Sequence, residues 1–259
     1  MARVLFIADL HGSLGHYREA GAAADRAGAE AIILGGDLCP RPRHHPLAEL
    51  PRLQARFLRQ DLAPLLETWR AQGRQVFAIP GNDDFAITLD ALDELATAGL
   101  VTSLHGRAVP LGDHVLVGLA FVPPTPFAIK DFERRDQATR AALPPPCPGA
   151  VQSRREAVGP VADFGAYLAA RPSVEEELAR LDALAPAGAR LVGVLHTPPR
   201  DTRCDVLWSG LHVGSAAVRA WIERRRPACT LHGHIHESPD VSGAFADRLG
   251  ATWVVNPGA

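Results

Sequence analysis

Val4-Leu5-Phe6-Ile7-Ala8-Asp9-Leu10-His11 is a short apolar run that ends in two metal-type side chains, and the pattern returns four more times. Ala31 to Leu34 leads into Gly35-Gly36-Asp37, and Val76 to Ile79 into Gly81-Asn82-Asp83-Asp84. Leu191 to Leu195 leads into His196, and Cys229 to Leu231 into Gly233-His234-Ile235-His236. Apolar runs of this length, bounded by Gly or Pro, read as buried strands. Polar groups at the carboxyl ends of sheet strands converge on one crevice. In Asp9-x-His11 and His234-x-His236 the spacing of two sets each pair on one side of an extended chain. A lone Asp after a strand is more often a helix cap, and a lone His more often a satisfied loop residue. Five such ends in one chain point instead to a metal site.

Around these strands the spacing of apolar residues predicts helices over His16 to Gly28, Pro51 to Gly73 (disturbed at Pro64), Ala86 to Ala98 and about Ser215 to Arg226. Ser173-Val174-Glu175-Glu176 supplies a capping box for a further helix carrying Leu178, Leu181 and Leu184. Alternation of strand and helix argues for parallel βαβ units. Arg107 to Pro110 and His114 to Phe121, flanking Gly112-Asp113, read as a hairpin. From 123 to 172 the texture changes: nine of the 22 prolines fall here, regular strands vanish, and Ile129 to Leu143 is the one helix candidate. Loops of this length in compact domains are usually lids or binding elements, so the segment reads as a cap insertion within a single domain over 1–259.

At 259 residues, with 47% hydrophobic and 22% charged content, the chain suits one large α/β domain with a full core. Its formal net charge of −2 gives no long-range attraction to a long nucleic acid or an anionic membrane. No apolar stretch approaches the roughly 20 residues that span a bilayer. With the first strand starting at Arg3, a secretory leader has no room, and a cytoplasmic location is expected. The four scattered cysteines, Cys39, Cys147, Cys204 and Cys229, are expected to be free thiols.

The ordered series D-x-H (Asp9, His11), G-G-D (Asp37), G-N-x-D (Asn82, Asp84), H (His196) and G-H-x-H (His234, His236) resembles the calcineurin-like metallophosphoesterase family. It extends from Asp9 to the closing Asn256-Pro257-Gly258. The resemblance implies an α/β fold of two facing mixed β-sheets flanked by helices, a four-layer α/β/β/α arrangement, with the Pro-rich segment as an insertion. It also implies two divalent ions: Asp9, His11 and His236 on the first, Asn82, His196 and His234 on the second, and Asp37 bridging them. Mixed imidazole, carboxylate and amide ligands favour Mn, Fe or Zn over Mg or Ca. The activity implied is hydrolysis of a small-molecule phosphate ester, in particular a diester, by in-line attack of a metal-bridging hydroxide. The alternatives are a pyrophosphate hydrolase acting on a nucleotide-linked sugar and a non-catalytic metal-binding scaffold.

One position departs from the commonest family pattern. Where many members carry His after the Asn, as the acid for the leaving group, this chain has Asp83. A carboxylate beside a phosphate is repulsive unless it is protonated or turned toward a cation. Asp84 is expected to orient a neighbouring ligand. His212, in the stretch after His196-Thr197-Pro198-Pro199-Arg200, is the candidate replacement acid, and Arg200 a candidate phosphate clamp. Gly214 and Ser215 at a helix start would offer an anion site. Lys130, the single lysine, with Phe127 and Phe132 near it in the insertion, is a candidate for pairing with the organic part of the substrate.

Overall fold

The computed structural model describes residues 2–139, 147–155 and 157–259. Its first sheet has the order β1-β2-β3-β4, from Val4–Ile7, Ala31–Gly35, Gln75–Ile79 and Thr102–Ser103, and every pairing is parallel. The second sheet has the order β11-β12-β10-β9-β6-β5, and here the expected mixture of directions is found. β5 (Ala108–Leu111) and β6 (His114–Leu119) form the hairpin about Gly112-Asp113, and β6, β9 (Leu191–Leu195), β10 (Cys229–Leu231) and β12 (Thr252–Val255) are parallel. β11 (Ala246–Leu249) runs antiparallel at the edge. Only the larger sheet is therefore mixed.

Alternation along each strand decides the layers. Ala31 and Ile33 of β2 and Phe77 and Ile79 of β3 meet Leu116 of β6 and Val194 of β9 between the sheets. The intervening Ile32, Leu34, Val76 and Ala78 face outward onto α1 (Leu14–Ala27), α3 (Ala63–Ala71) and α4 (Leu89–Thr97) through Tyr17, Leu66 and Leu92. On the far side, Val117, Leu119, Leu191 and Leu195 cover α6 (Val174–Leu184) and α7 (Ala216–Arg225) through Leu178, Leu181, Val218, Trp221 and Ile222. The result is helix, sheet, sheet, helix.

Helix boundaries follow local chemistry. Ser13 caps α1, and Gly28 closes it in the left-handed conformation (φ 59°) that costs glycine little. Ser173 and Glu176 form the reciprocal capping box of α6. The long helix expected over Pro51 to Gly73 is continuous in path but not in hydrogen bonding. Between α2 (Leu50–Arg56) and α3 it widens over Phe57–Leu62, where the Ala63 N–H reaches Leu58 O five residues back. Pro64 has no N–H to give to the preceding turn, so the register shifts just before it.

The 123–172 segment departs from expectation. It contains a small antiparallel hairpin, β7 (Val151–Ser153) with β8 (Val158–Pro160), and the short helix α5 (Phe164–Ala169). Residues 129–139 are not helical, which corrects the expected helix from Ile129; its remainder, 140–143, lies outside the described residues. Isolated bridges replace the helix, with Val122 paired to Glu133 and Ile129 to Val151. The segment is pinned by the Asp131 carboxylate, which accepts from the Ala86 and Ser153 amides at 2.9 and 2.7 Å and from the Ser153 hydroxyl. No helix among the described residues is long and apolar enough to cross a membrane. All four cysteines are free.

Candidate metal centre

The loops that follow β1, β2, β3, β9 and β10 meet at one end of the two sheets, and their backbone is unusual there. Asp9 (φ 57°), His11 (43°), Asp37 (49°) and His234 (69°) all take left-handed conformations. Each costs a non-glycine residue roughly 1–3 kcal/mol and persists only where the surroundings over-determine it; such residues cluster at functional sites. Glycines admit the close approach. A Cβ on Gly36 would lie 2.8 Å from Cε1 of His196, so no larger residue fits between β2 and β9 at that point.

Asp9, His11, Asp37 and His236 each offer one ligand atom, and these four atoms lie within 4.8 Å of one another. The His11 and His236 Nε2 atoms face each other at 3.4 Å. Two ring nitrogens so placed need a proton or a cation between them. On the other side of Asp37, His196 Nε2 is 3.5 Å from Asp37 Oδ2 and 3.2 Å from Asn82 Oδ1. His234 Nδ1 lies 2.6 Å from the same Asn82 oxygen. All seven ligands expected from the sequence are thus brought together, with Asp37 within 3.7 Å of His11 on one side and 3.5 Å of His196 on the other.

Supporting bonds aim these groups. His196 Nδ1 donates to Gly35 O at 2.9 Å, which turns Nε2 toward the centre. The His234 amide donates to both Asp9 oxygens at 3.0 and 3.1 Å. The Thr197 hydroxyl, beside His196, is buried with no hydrogen-bond partner. His11 and His236 keep 27% and 41% of their side-chain surface, so this end opens to solvent.

The electrostatics suit a cation. Burial works against ionised Asp37, yet the charge and hydrogen bond of His196, with His11, hold its carboxyl well below the usual range. Burial works against the His196 imidazolium too, but Asp37 and Asp9 push its pKa up to about 9. Burial and the neighbouring charge of His196 bring His234 down to about 3, leaving it neutral, the form that ligates metal. Oxygen and imidazole donors around buried carboxylates fit a divalent transition ion.

The Asp83 carboxylate is turned toward a cation that the sequence reading did not name. Arg41 Nη1 lies 2.7 Å from each Asp83 oxygen, while the Asp83 amide donates to Asp37 Oδ1 at 2.7 Å. Burial and the nearby charge of Asp37 raise the Asp83 pKa, and Arg41 opposes them. Asp84 does not orient a ligand side chain, as was expected. Its carboxylate accepts from the Gly81, Leu38 and Cys39 amides at 2.8, 3.0 and 2.9 Å, stapling the loop after β3 to the loop after β2. Burial and the charge of Asp37 lift its pKa to about 6 against those three donors. The fully buried Gln54 completes the loop: its Nε2 donates to Asp83 O at 2.8 Å and its Oε1 accepts from the Phe85 amide at 2.9 Å. Neither Arg41 nor Gln54 carries a sequence signal beyond its nearness to the loop after β2.

The outlying candidates fare differently. Lys130 is fully buried, with Nζ bonded to Thr125 O and both Glu133 oxygens at 2.9–3.1 Å, and lies 4.8 Å above the Phe164 ring. It has no surface from which to meet a substrate, which corrects that expectation. The Arg200 Nε points toward Asp201 Oδ1 at 3.8 Å on the surface and contacts no candidate ligand. The helix-start anion site is also filled: the Ala216 amide donates to Asp136, the Gly214 amide to Asp205, and the Ser215 amide to Pro198 O. His212 remains open, and its Nδ1 lies 2.8 Å from the fully buried Asp205 carboxylate, a partner not foreseen.

Comparison with known proteins agrees with this geometry. Residues 2–123, which include Asp9, His11, Asp37, Asn82 and Asp83, match the calcineurin-like phosphoesterase family. One solved crystal structure superposes with a TM-score of 0.65 at 19% identity, covering 100% of this chain and 91% of the other. The crystal structure of TT1561 of Thermus thermophilus gives 0.59 at 20% identity, covering 100% and 90%. At such identities these likenesses speak to the fold alone. No curated protein matches the chain. Residues 2–123, with metal-type residues at their strand ends, thus resemble the calcineurin-like phosphoesterases.

Proposed function

We propose that this protein is a dinuclear metal-dependent phosphoester hydrolase, and more narrowly a phosphodiesterase. The observation that carries the reading is the position of Asp37 between two half-sites, within 3.7 Å of a candidate ligand nitrogen in each. Asp9, His11 and His236 would hold one ion and Asn82, His196 and His234 the other, with the Asp37 carboxylate between them. The donor set suits Mn, Fe or Zn. Bound there, the ions would lower the pKa of a water toward neutrality and offset charge on the phosphoryl oxygens.

The chain's own residues bias the substrate. With Asp37 taken up by the ions, Asp83 presents a further carboxylate beside the centre, faced by Arg41. A diester with one negative charge is tolerated there better than a monoester with two. Segment 123–172 serves as the substrate cap. Its Phe127 lies against Arg41, with the guanidinium carbon 5.6 Å from the ring centre, so the insertion reaches the rim of the centre.

The test is hydrolysis of bis-p-nitrophenyl phosphate by wild type, chelated protein and Asp37→Asn, each with metal content measured. Activity is expected only in the metal-loaded wild type, with two ions per chain. Full activity in the chelated protein or in Asp37→Asn would overturn the reading. Two bound ions with no hydrolysis of any ester would point to a scaffold.

A further inference from the structure

Hydrolysis of a diester adds water across one P–O bond. The water oxygen joins phosphorus, and the departing oxygen takes the bonding pair and needs one proton. Asp83, bound through both oxygens to Arg41, is poorly placed to supply it. We propose that His212, positioned by Asp205, delivers that proton; the proposal rests on the hydrolytic reading above.

Asp205 is an anchored acceptor. Its carboxylate is fully buried and takes the amides of Asp201, Thr202 and Gly214 at 3.2, 2.9 and 2.9 Å. His212 Nδ1 lies 2.8 Å from Oδ1, and since a carboxylate only accepts, Nδ1 carries the hydrogen. The ring is thereby fixed in tautomer and orientation, and Nε2 is left for other partners. The side chain keeps 38% of its surface, so the ring is open to solvent.

The loop that carries this pair is tied to both loops that hold histidine ligands. On one side the Ser215 amide donates to Pro198 O at 2.9 Å and the Arg200 amide to Ser215 O at 3.0 Å, which fixes it against the segment leaving His196. A Cβ on Gly214 would lie 2.6 Å from Pro198 O, so glycine is needed for that approach. On the other side Asn256 Nδ2 donates to Cys204 O and to Ile235 O, both at 3.0 Å, and Ile235 stands between His234 and His236. The Val206 amide donates to the Ser238 hydroxyl at 2.6 Å, two residues past His236, and Val206 is bridged to His212. His212 is therefore bracketed by the segments bearing His196, His234 and His236.

In the proposed step the imidazolium gives its Nε2 proton to the leaving oxygen as the P–O bond breaks. The ring ends neutral, with its remaining proton on Nδ1 toward Asp205, and regains the other from solvent. Asp205 is a positioning residue: it accepts from Nδ1 throughout.

Two measurements test this. Nitrogen-15 NMR on the metal-free protein reads the tautomer directly; the neutral ring should be protonated at Nδ1 in wild type, and Asp205→Asn should shift it toward Nε2. Kinetics on the metal-loaded protein compare bis-p-nitrophenyl phosphate, whose leaving group needs little help, with methyl phenyl phosphate. His212→Gln should lower kcat on the second ester by roughly 10²–10⁴-fold and on the first by less than tenfold, with metal content unchanged. Asp205→Asn should follow the same pattern. Equal losses on both esters, no loss on either, or a ring protonated at Nε2 in wild type would overturn the proposal. If Asp83→Asn rather than His212→Gln showed the leaving-group-dependent loss, the acid would be Asp83. Metal-loaded wild type inert on both esters would overturn the hydrolytic reading itself, and this proposal with it.

Discussion

Arg41 and Asp83 form an ion pair at the edge of the metal centre, with one guanidinium nitrogen 2.7 Å from both carboxylate oxygens. Asp83 is 7% exposed and its amide donates to Asp37, so removing Arg41 leaves a second, unbalanced carboxylate beside the substrate. Leaving one partner of such a buried pair alone costs about 3–5 kcal/mol where burial is complete, and less at this partly open rim. Arg41→Met should lower kcat/KM on a phosphodiester by at least tenfold. Arg41→Met with Asp83→Asn should recover much of the loss, because the charge left behind is gone. Non-recovery in the double variant would show that Arg41 acts on the substrate rather than through Asp83. The same logic bears on Asp83→His: an imidazole there faces Arg41, and the pair it would need to leave intact is broken.

Gln54 gives a second handle on the same loop. Gln54→Leu strands the Asp83 carbonyl and the Phe85 amide in the interior, at about 1–3 kcal/mol for each unpaired group. Gln54→Glu keeps the acceptor for Phe85 and loses the donor to Asp83. Chemical denaturation should rank wild type above Gln54→Glu above Gln54→Leu. Metal affinity should fall in the same order, since Asn82 precedes the carbonyl that Gln54 holds. Unchanged metal affinity in a destabilised Gln54→Leu would make Gln54 a purely structural group.

The five strands that lead into the site and the seven polar residues that converge at their ends were legible because each is a local signal: an apolar run, a break, then a polar residue. The two-sided burial of β2, β3 and β9 shows in their unbroken apolar runs. Pairings that depend on distant residues were not legible. Arg41 meets Asp83 across 42 positions, and Asp136 reaches the start of α7 across 80. Lys130 was misjudged for the same reason: a lone lysine among aromatics in a Pro-rich segment suggests a ligand contact until Glu133 is seen folded back onto it. The hairpin of β7 and β8 escaped because its strands have only three residues each and carry no long apolar alternation.

Lys130 itself makes a clean test of that correction. Both partners of the Lys130–Glu133 pair have no exposed side-chain surface. Lys130→Met should destabilise the fold by about 3–5 kcal/mol by leaving Glu133 uncompensated, and Lys130→Met with Glu133→Leu should recover most of it. The KM of the refolded double variant for a diester should stay within twofold of wild type. A large rise in KM without loss of stability would return Lys130 to the substrate.

His105 should make the fold acid-sensitive at a distance from the metal centre. Burial, with the charge of Arg134 adding to it, brings its pKa down to about 4. Its ring packs edge-on against Phe121 and Phe132, and the Ala120 amide donates to Nδ1 at 3.0 Å, a bond that only the neutral ring accepts. Glu177 and Arg180 of α6 line the shallow cleft beside it, so the one facing carboxylate is matched by a second arginine. The unfolded chain takes up this proton near pH 6.5, while the folded chain resists until about pH 4. Between those values the unfolded state binds more protons, so stability falls as the pH falls, and the loss is complete near pH 4. At about 1.4 kcal/mol per pKa unit, His105 alone should remove about 2 kcal/mol between pH 7 and pH 5. Gln at this position can accept from the Ala120 amide without titrating. Urea unfolding of wild type and His105→Gln at the two pH values reads the difference, and the variant should lose about 2 kcal/mol less than wild type. Parallel losses in the two proteins would show that His105 is already protonated, or that its proton is taken up equally in both states.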